Sequence, residues 1–482
     1  MDNLIRLVDE LRKLRSEASW VEYKHNNYKP DMIGEDISAI ANAATYAERD
    51  CGYMIWGVNN ESHEVVGTEY NLQTLKVGNE EIENWLRHKL SDNADFEFHQ
   101  IDYQDKNVGV LKITSSVGRP VTFDKLAFIR VGSYTKKLRD YPEVESMLWS
   151  RLKNINFEKQ LSKTDLGEDE AIGLLDVDVF FEKAKVPRPS NNHELVLKLC
   201  EERILVRQDN GLYAVTNMGA VLFARRISDF PRISRKAVRV IQYHGSNRMR
   251  MAREFDGTKG YAVGFEGLVT YLQALTPADA PIDGAFRGDM QAYPELAIRE
   301  LVANALIHQD FSIGGAGPLI EVFENRLEIS NPGECLVDVE RIINCTPRSR
   351  NEDVASIMRR MKMCEEAGGG WDKAVISCEE MFLPAPRIEK LDGGTKVYLF
   401  AKANFASMTQ EDRLWACYTH SCVLHAQFEQ MTNASLRKRF GLEESSAGNV
   451  SRVIRDAVAV GLVRAVDPET APRYMRYVPA WA

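Results

Sequence analysis

The sequence predicts an α+β protein of several domains. Its 482 residues exceed the length that one hydrophobic core usually organises. Stretches with helical spacing of apolar residues alternate irregularly with short runs of strand character, and the first domain shows no parallel βαβ spacing. We expect an α+β domain at 1–145, a helical connector at 146–260, an α/β sandwich at 261–405 and a small helical unit with a strand pair at 406–482.

Composition limits the classes of function. Hydrophobic residues make up 44% and charged residues 27% of the chain, as in ordinary globular proteins. A net charge of −9 argues against a protein that coats nucleic acid indiscriminately, so any such contact must use local basic patches. The eight scattered cysteines include no CxxC pair and fit reduced thiols. The N-terminal stretch is amphipathic and no apolar run approaches membrane-spanning length, which predicts a cytoplasmic protein without a membrane partner.

Three polar residues stand out near the start of the first domain. Residues 20–24 alternate like a strand, which projects Glu22 and Lys24 from one face. Together with Glu17, these carboxylates and the lysine could bind a divalent metal and a phosphate, as metal-assisted phosphodiester cleavage requires. A salt bridge on an edge strand explains the same residues, and the spacing leaves both interpretations open.

A set of ordered motifs in the first domain resembles a known family. ESASWVEYK, ISAIANA, GYMIWGVNNESHEVVG, GRP and AFIRVGSYTKKL, within residues 14–140, are similar to the AlbA-like domain of Schlafen proteins and their bacterial relatives. In nuclease members of that family, two glutamates and an aspartate carry metal-dependent RNA cleavage. Glu17 and Glu22 match the glutamates, but Asn60 occupies the aspartate position and is a poorer metal ligand.

The resemblance therefore implies nucleic-acid binding without cleavage. Cations on the strands of the AFIRVGSYTKKL motif would contact phosphates, namely Arg130, Lys136 and Lys137.

A polar stripe marks the predicted helix at 295–311. Glu300, Asn304 and His308 are spaced four residues apart, which is about 40° per step around a helix, so they share one side. Burying a carboxylate, an amide and an imidazole among alanines and leucines is costly without partners. Either a structural polar network or a bound magnesium nucleotide could supply those partners.

The motifs that follow this helix resemble a second family. EISNPG (328–333), SRNEDVASIMRRMKMCEEAGGGWDK (349–373) and GGTKVYLF (393–400) occur in the order found in divergent GHKL ATP-binding domains of predicted bacterial transcriptional regulators. The resemblance implies that Glu300 activates water and Asn304 holds Mg²⁺, with Asn331 in place of the usual adenine-contacting aspartate. ATP and Mg²⁺ are the implied cofactors, and weak ATP hydrolysis stays open. The other nucleotide-side candidates are His308, Gly333, Gly368, Gly369, Gly370 and Thr395.

A basic stretch occupies residues 225–253. Nine lysines and arginines occur there with one acid, Asp229. This could be a track for a phosphate backbone or a solvated surface that pairs with acids elsewhere in the protein.

The C-terminal unit resembles a winged helix. Thr432 can cap a short helix, and a second helix from about Ala447 would turn Val450, Ile454, Val458 and Val460 inward. Arg452 and Arg455 would face outward from this second helix. In winged-helix proteins the second helix enters the major groove of DNA, so these arginines could contact bases. A dimerisation module is the alternative. A zinc site formed by Cys417, His420, Cys422 and His425 is disfavoured, because this spacing lacks the loop that lets four ligands converge.

Together these features predict a nucleotide-responsive nucleic-acid-binding regulator, acting in transcription or in a defence system. A Schlafen-like metal-dependent nuclease is the rival hypothesis, and a nucleotide-gated dimerisation protein is the third. The sequence leaves homo-oligomerisation open.

Overall fold

The protein is described by a computed structural model that covers residues 2–14, 18–72, 74–153, 157–276, 292–364 and 369–482. The chain forms two compact units. The first contains residues 1–171 and 196–217, and the second contains residues 172–195 and 218–482. Within the described residues, each helix is too short or too polar to cross a bilayer.

The first unit begins with an α+β domain. Its elements are α1 (Asp2–Arg12), β1 (Val21–Lys24), α2 (Pro30–Tyr46), β2 (Cys51–Trp56), β3 (Lys76–Val77), β4 (Glu80–Glu81), α3 (Ile82–Lys89), β5 (Phe96–Tyr103), β6 (Lys106–Thr114), β7 (Thr122–Phe123), β8 (Leu126–Val131), β9 (Tyr134–Lys137) and α4 (Pro142–Lys153). One sheet has the strand order β1-β2-β6-β5, and a second has the order β7-β8-β9.

The first domain contains a parallel βαβ unit that the sequence analysis excluded. Strands β1 and β2 pair in parallel, with Val21 opposite Tyr53, and α2 connects them. The expectation of no such unit was wrong. Alternation within β1 does not show which strand it pairs with, and β2 begins only after a buried helix of 17 residues.

Helix α2 is the central buried helix of this domain. Two of its polar side chains, Ser38 and Asn42, have no solvent exposure. The Asn42 amide donates to the carbonyl oxygens of Val121 and Phe128 at 2.9 and 2.8 Å, and its oxygen accepts from the Val121 N–H at 2.9 Å. Since buried polar groups need such partners, these bonds fix the second sheet against the helix.

The segment that follows contains short helices and a small sheet. Its elements are β10 (Leu161–Leu166), α5 (Glu168–Leu174), α6 (Asp178–Ala184), α7 (Asn192–Glu201), β11 (Leu205–Arg207), β12 (Tyr213–Thr216) and α8 (Asn217–Phe223). Strands β10, β12 and β11 form an antiparallel sheet in that order.

The second unit contains the largest sheet. Its remaining elements are β13 (Arg239–Tyr243), β14 (Met251–Asp256), α9 (Tyr261–Leu275), α10 (Glu295–Ile307), β15 (Leu319–Val322), β16 (Arg326–Pro332), α11 (Glu352–Arg360), α12 (Gly370–Glu380), β17 (Arg387–Leu391), β18 (Gly394–Phe400), α13 (Gln410–Ala426), α14 (Asn433–Arg439), α15 (Ala447–Ala459), β19 (Val463–Ala465) and β20 (Tyr477–Pro479). The sheet order is β14-β13-β15-β16-β18-β17, and only β13 and β15 pair in parallel.

Helix α10 lies at the centre of this unit. It packs against α9, α12 and β16. Elsewhere on the sheet, Glu321 and Glu328 lie opposite each other on β15 and β16, and both are almost fully buried. Arg248 and Lys396 contact these carboxylates at 2.6–2.9 Å, so the buried negative charge is compensated.

The C-terminal unit, residues 406–482 of the second compact unit, consists of three α-helices and a strand pair. As expected, Thr432 caps α14, accepting a hydrogen bond from the N–H of Ser435 at 3.0 Å. Val450 and Ile454 of α15 are buried, whereas Val458 and Val460 are 41% and 61% exposed. The expectation that the last two point inward was wrong, because the buried face of α15 is formed by Val450, Val453, Ile454 and Ala457, and Val460 follows the end of the helix at Ala459.

Candidate functional site

A cavity of about 400 Å³ opens between α10, the ends of β16 and β18, and the first turn of α12. The segment 334–350, helix α11 and Ile388 of β17 contribute further lining residues. Six residues proposed from the sequence line this cavity, namely Glu300, Asn304, His308, Asn331, Gly370 and Thr395. Side chains that are far apart in the sequence therefore converge on one site.

The predicted stripe on α10 faces the cavity along its length. Glu300 is 5% exposed, and Asn304 and His308 are half-buried. A Cβ atom at Gly370 would overlap the Glu300 carboxylate, so a side chain there would displace this carboxylate. A carboxylate beside a helix N-terminus is electrostatically favourable.

The glycine of the NPG sequence, Gly333, is not a lining residue of the cavity but contacts one, Thr395. Gly333 has φ +99°, and a Cβ atom there would lie 2.8 Å from Cβ of Asp310. The Thr395 hydroxyl donates to the Gly333 carbonyl oxygen at 2.8 Å. Asn331 is opposite Thr395 across the strands and is 8% exposed. Gly369 directly precedes α12, and Gly368 lies outside the described residues.

His308 is held neutral. Burial and the nearby guanidinium of Arg350 lower the pKa of His308 to about 4. Arg350 also donates to the carbonyl oxygens of His308 and Glu334 at 3.1 and 2.7 Å. An uncharged imidazole at neutral pH can accept or donate a hydrogen bond without adding charge to the cavity.

This pKa shift predicts a pH dependence of stability. The unfolded chain binds a proton at His308 near pH 6.5, and the folded protein binds it only near pH 4. Stability should therefore fall as the pH decreases from 6.5 to 4. Urea denaturation at several pH values should show a smaller decrease for His308→Gln than for the wild type, and equal decreases would contradict the assignment.

Three arginines of the cavity were missed by the sequence analysis. Arg348, Arg350 and Arg359 line it together with the acids Glu334 and Glu352. The high density of arginine in TPRSRNEDVASIMRR could have indicated an anion site. The residues before α11 show no regular spacing, however, so the directions of their side chains could not be predicted.

The polar residues of the first domain form a buried charge cluster. Lys24 Nζ lies 2.6 Å from Glu22 and 3.2 Å from Asp36, and Arg130 forms an ion pair with Glu22. Burial disfavours the ammonium, but the carboxylates of Asp36 and Glu22 outweigh it and raise the pKa of Lys24. Thr135 donates to Asp36 at 2.5 Å. Asp36 was not singled out from the sequence because it reads as part of an apolar helix.

The cluster corrects two expectations. The Glu22–Lys24 pair is internal rather than at the surface, and the Arg130 side chain is only 1% exposed. Arg130 therefore lies in the domain interior and would have to leave Glu22 to reach a phosphate.

Lys136, Lys137 and Asn60 are the other proposed residues of the first domain that the structure describes. Lys136 and Lys137 are exposed on β9, whereas Glu17 lies outside the described residues. Asn60 is exposed in a turn whose His63 ring packs against the Tyr23 ring at a tilt of 42°, with 4.6 Å between their centroids. Tyr23 and Glu22 point to opposite faces of β1, so no described contact joins Asn60 to Glu22.

Part of the basic stretch is paired with acids or buried. Lys236 is buried and donates to the carbonyl oxygens of Ile313 and Ala316 at 2.6 and 3.1 Å. Arg239 forms ion pairs with acids of β14, and Arg248 is paired with Glu321 and Glu328. These contacts favour the second interpretation of the stretch, a surface that pairs with acids.

In the C-terminal unit, Arg452 and Arg455 are exposed on α15. An isolated bridge joins Met431 to Tyr477, and β20 pairs with β19. The element order is therefore α13, a strand residue, α14, α15 and a strand pair, the order that a winged helix would have.

The cysteine and histidine residues of α13 point to separate partners. Cys417 contacts Met431, His420 contacts Glu379, and His425 packs edge-on to Trp481. Within the described part of the chain, no group of three or more His, Cys, Asp or Glu side chains is placed to hold a metal.

Comparison with known proteins gives two matches over parts of the chain. Residues 17–139 match the family model "Schlafen, AlbA_2", and residues 315–399 match the model "Putative ATP-dependent DNA helicase recG C-terminal". Helix α10, with Glu300 and Asn304, precedes the second range, so their assignment rests on the geometry of the cavity. No curated protein sequence matches the chain.

A solved structure, that of the DIP2311 protein from Corynebacterium diphtheriae, is 13% identical with a TM-score of 0.41 and covers 99% of both chains. That likeness is too low to support an argument. The two family matches do agree with the two resemblances seen in the sequence. The chain thus combines a Schlafen AlbA_2 domain with a GHKL-like ATPase-type domain.

Proposed function

We propose that this protein is a nucleic-acid-binding regulator whose second unit binds ATP with Mg²⁺. The observation that carries the proposal is the convergence of Glu300, Asn304, Asn331, Gly370 and Thr395 on one cavity. Its volume of about 400 Å³ lies within the usual range for small-molecule sites.

The cavity residues fit a magnesium nucleotide chemically. Asn304 lines the cavity and offers an amide oxygen, and oxygen is the ligand type that Mg²⁺ prefers. Arg348 and Arg359 supply positive charge for phosphates. Bound Mg²⁺ would neutralise part of the phosphate charge, while Glu300 is the group placed to accept a proton from a water molecule.

Calorimetry with ATP–Mg, and with GTP–Mg in parallel, tests the nucleotide proposal. We expect saturable binding at one site per chain. Absence of heat with either nucleotide at millimolar concentration, checked by equilibrium dialysis, would contradict it.

Exposed cations support the nucleic-acid part of the proposal. Arg452 and Arg455 are exposed on α15, which we propose as the recognition helix, and Lys136 and Lys137 are exposed on β9 of the AlbA_2 domain. In a protein with a net charge of −9, such local groups must supply the phosphate contacts.

Substitution of the α15 arginines should weaken binding to a specific DNA site. Arg452→Ala and Arg455→Ala should each cost about 1–3 kcal/mol if the arginine contacts a base edge. Gel shifts of the double variant measure this loss, and Arg188→Ala, which removes an exposed arginine paired with Asp178, is the control. Unchanged binding by the double variant would assign this unit to protein contacts.

The nuclease hypothesis predicts a different result at the first domain. Glu22 is already engaged by Arg130 and Lys24, and Asn60 brings no negative charge. We therefore expect little cleavage of tRNA or duplex DNA by the wild type with Mn²⁺ or Mg²⁺. Robust cleavage that is abolished by Glu22→Gln would reverse this conclusion.

A further inference from the structure

Two parts of the cavity wall also contact the C-terminal unit. One wall is α12, which begins at Gly370 and Trp371 in the cavity. The other is the segment 337–345, which contributes Val337, Ile342 and Cys345. The Asn344 N–H donates to the Asp372 carboxylate at 3.1 Å, which joins the two walls directly.

The far end of α12 holds two helices of the C-terminal unit. Glu379 lies 2.9 Å from Nδ1 of His420 on α13 and 3.1 Å from Nε of Arg439 on α14. Arg439 also donates to the Leu383 carbonyl oxygen at 2.7 Å, and its side chain is 2% exposed. Gly370 and Glu379 are nine positions apart, about 14 Å along the axis of α12. A displacement of α12 at the cavity would therefore also move Glu379.

The segment 337–345 is attached to the same unit by different contacts. The Tyr418 hydroxyl donates to the carbonyl oxygen of Glu340, and the Trp481 indole donates to Tyr418 at 3.0 Å. The guanidinium of Arg341 lies 3.9 Å above the Trp481 ring. These contacts form a second connection from the cavity to α13.

Inside the C-terminal unit, the anchored helices hold α15. Helix α13 packs against α15. The Asn433 amide of α14 donates to the Ala447 carbonyl oxygen and the Ser451 hydroxyl at 3.0 and 2.9 Å. Movement of α13 or α14 would therefore change the position of Arg452 and Arg455.

We propose that occupation of the cavity by nucleotide changes the affinity of α15 for nucleic acid through α12 and the segment 337–345. This inference rests on the proposed function and adds the structural connection between the nucleotide cavity and α15. The coupling requires that nucleotide prefers one position of these walls, and the same preference must then appear as an effect of nucleic acid on nucleotide affinity.

The Glu379 contact gives the sharpest test in the full-length protein. Duplex DNA binding is measured by fluorescence anisotropy with and without ATP–Mg, for wild type, Glu379→Gln and the control Glu380→Gln, which changes the exposed neighbouring acid. We expect ATP–Mg to change the wild-type affinity about fivefold or more. The ratio of the DNA affinities with and without ATP–Mg should approach one in Glu379→Gln and stay at the wild-type value in Glu380→Gln.

A second variant protects the test against a folding defect. Tyr418→Phe removes one hydroxyl group and should reduce the ratio without changing thermal unfolding by more than a few degrees. A wild-type ratio above fivefold that persists in both variants would overturn the route. Wild-type binding of both ligands with a ratio of one would overturn the coupling alone, whereas no binding of either ligand would overturn the proposed function itself.

Discussion

Replacing Glu22 with alanine should reduce the free energy of unfolding of the first domain by about 3–5 kcal/mol. Its carboxylate compensates Arg130, whose side chain is 1% exposed, and Lys24, whose side chain is 12% exposed. Removing one member of a buried ion pair leaves a charge without compensation, which costs far more than the pair itself contributes. Asp36 would retain Lys24, but Arg130 would lose this partner.

Native-state hydrogen exchange, followed on peptides from β2 and β6, measures this loss for the first unit alone. Glu83→Ala is the matched control, because Glu83 pairs with Arg87 at the surface with both side chains about half exposed. Exposed pairs contribute about 0–1 kcal/mol. A similar small effect of both substitutions would show that the Glu22 cluster is less important for stability than its burial indicates.

Replacing Asn304 with alanine should weaken ATP–Mg binding about 10-fold to 100-fold, or about 1.4–2.7 kcal/mol. The amide lies on the cavity face of α10 between Glu300 and His308, and alanine favours the helix. The fold should therefore survive while an oxygen ligand is lost.

Asn404→Ala is the control for this substitution, since Asn404 is exposed and does not line the cavity. Calorimetry should give the wild-type affinity for Asn404→Ala and a reduced affinity for Asn304→Ala, with similar thermal unfolding of both. Equal affinities would remove Asn304 from the site.

Regular elements made part of the site predictable. A spacing of four residues on a helix fixes the relative direction of side chains, so Glu300, Asn304 and His308 could be placed on one face, and the structure puts all three in one cavity. The segment 334–350 has no such period. Its arginines, and the contacts of Glu340 and Arg341 with the C-terminal unit, depend on tertiary packing that local spacing does not encode.

Charge partners were equally hidden from local reasoning. Arg248 lies in a basic stretch, but its partners Glu321 and Glu328 occur more than 70 residues later. Arg130 likewise belongs to a basic motif that was expected to be exposed, but it pairs with Glu22, which lies on a strand far away in the sequence. A sequence shows the sign and density of charge, whereas the fold decides which cations remain available to a phosphate.

A titration experiment tests whether nucleotide controls nucleic-acid binding. Labelled duplex DNA and structured RNA are each titrated with the wild-type protein at low salt, with and without ATP–Mg. We expect salt-dependent binding of at least one of these nucleic acids, with an affinity that ATP–Mg changes about fivefold or more. No binding of either nucleic acid, or an affinity that is the same with and without ATP–Mg, would contradict it.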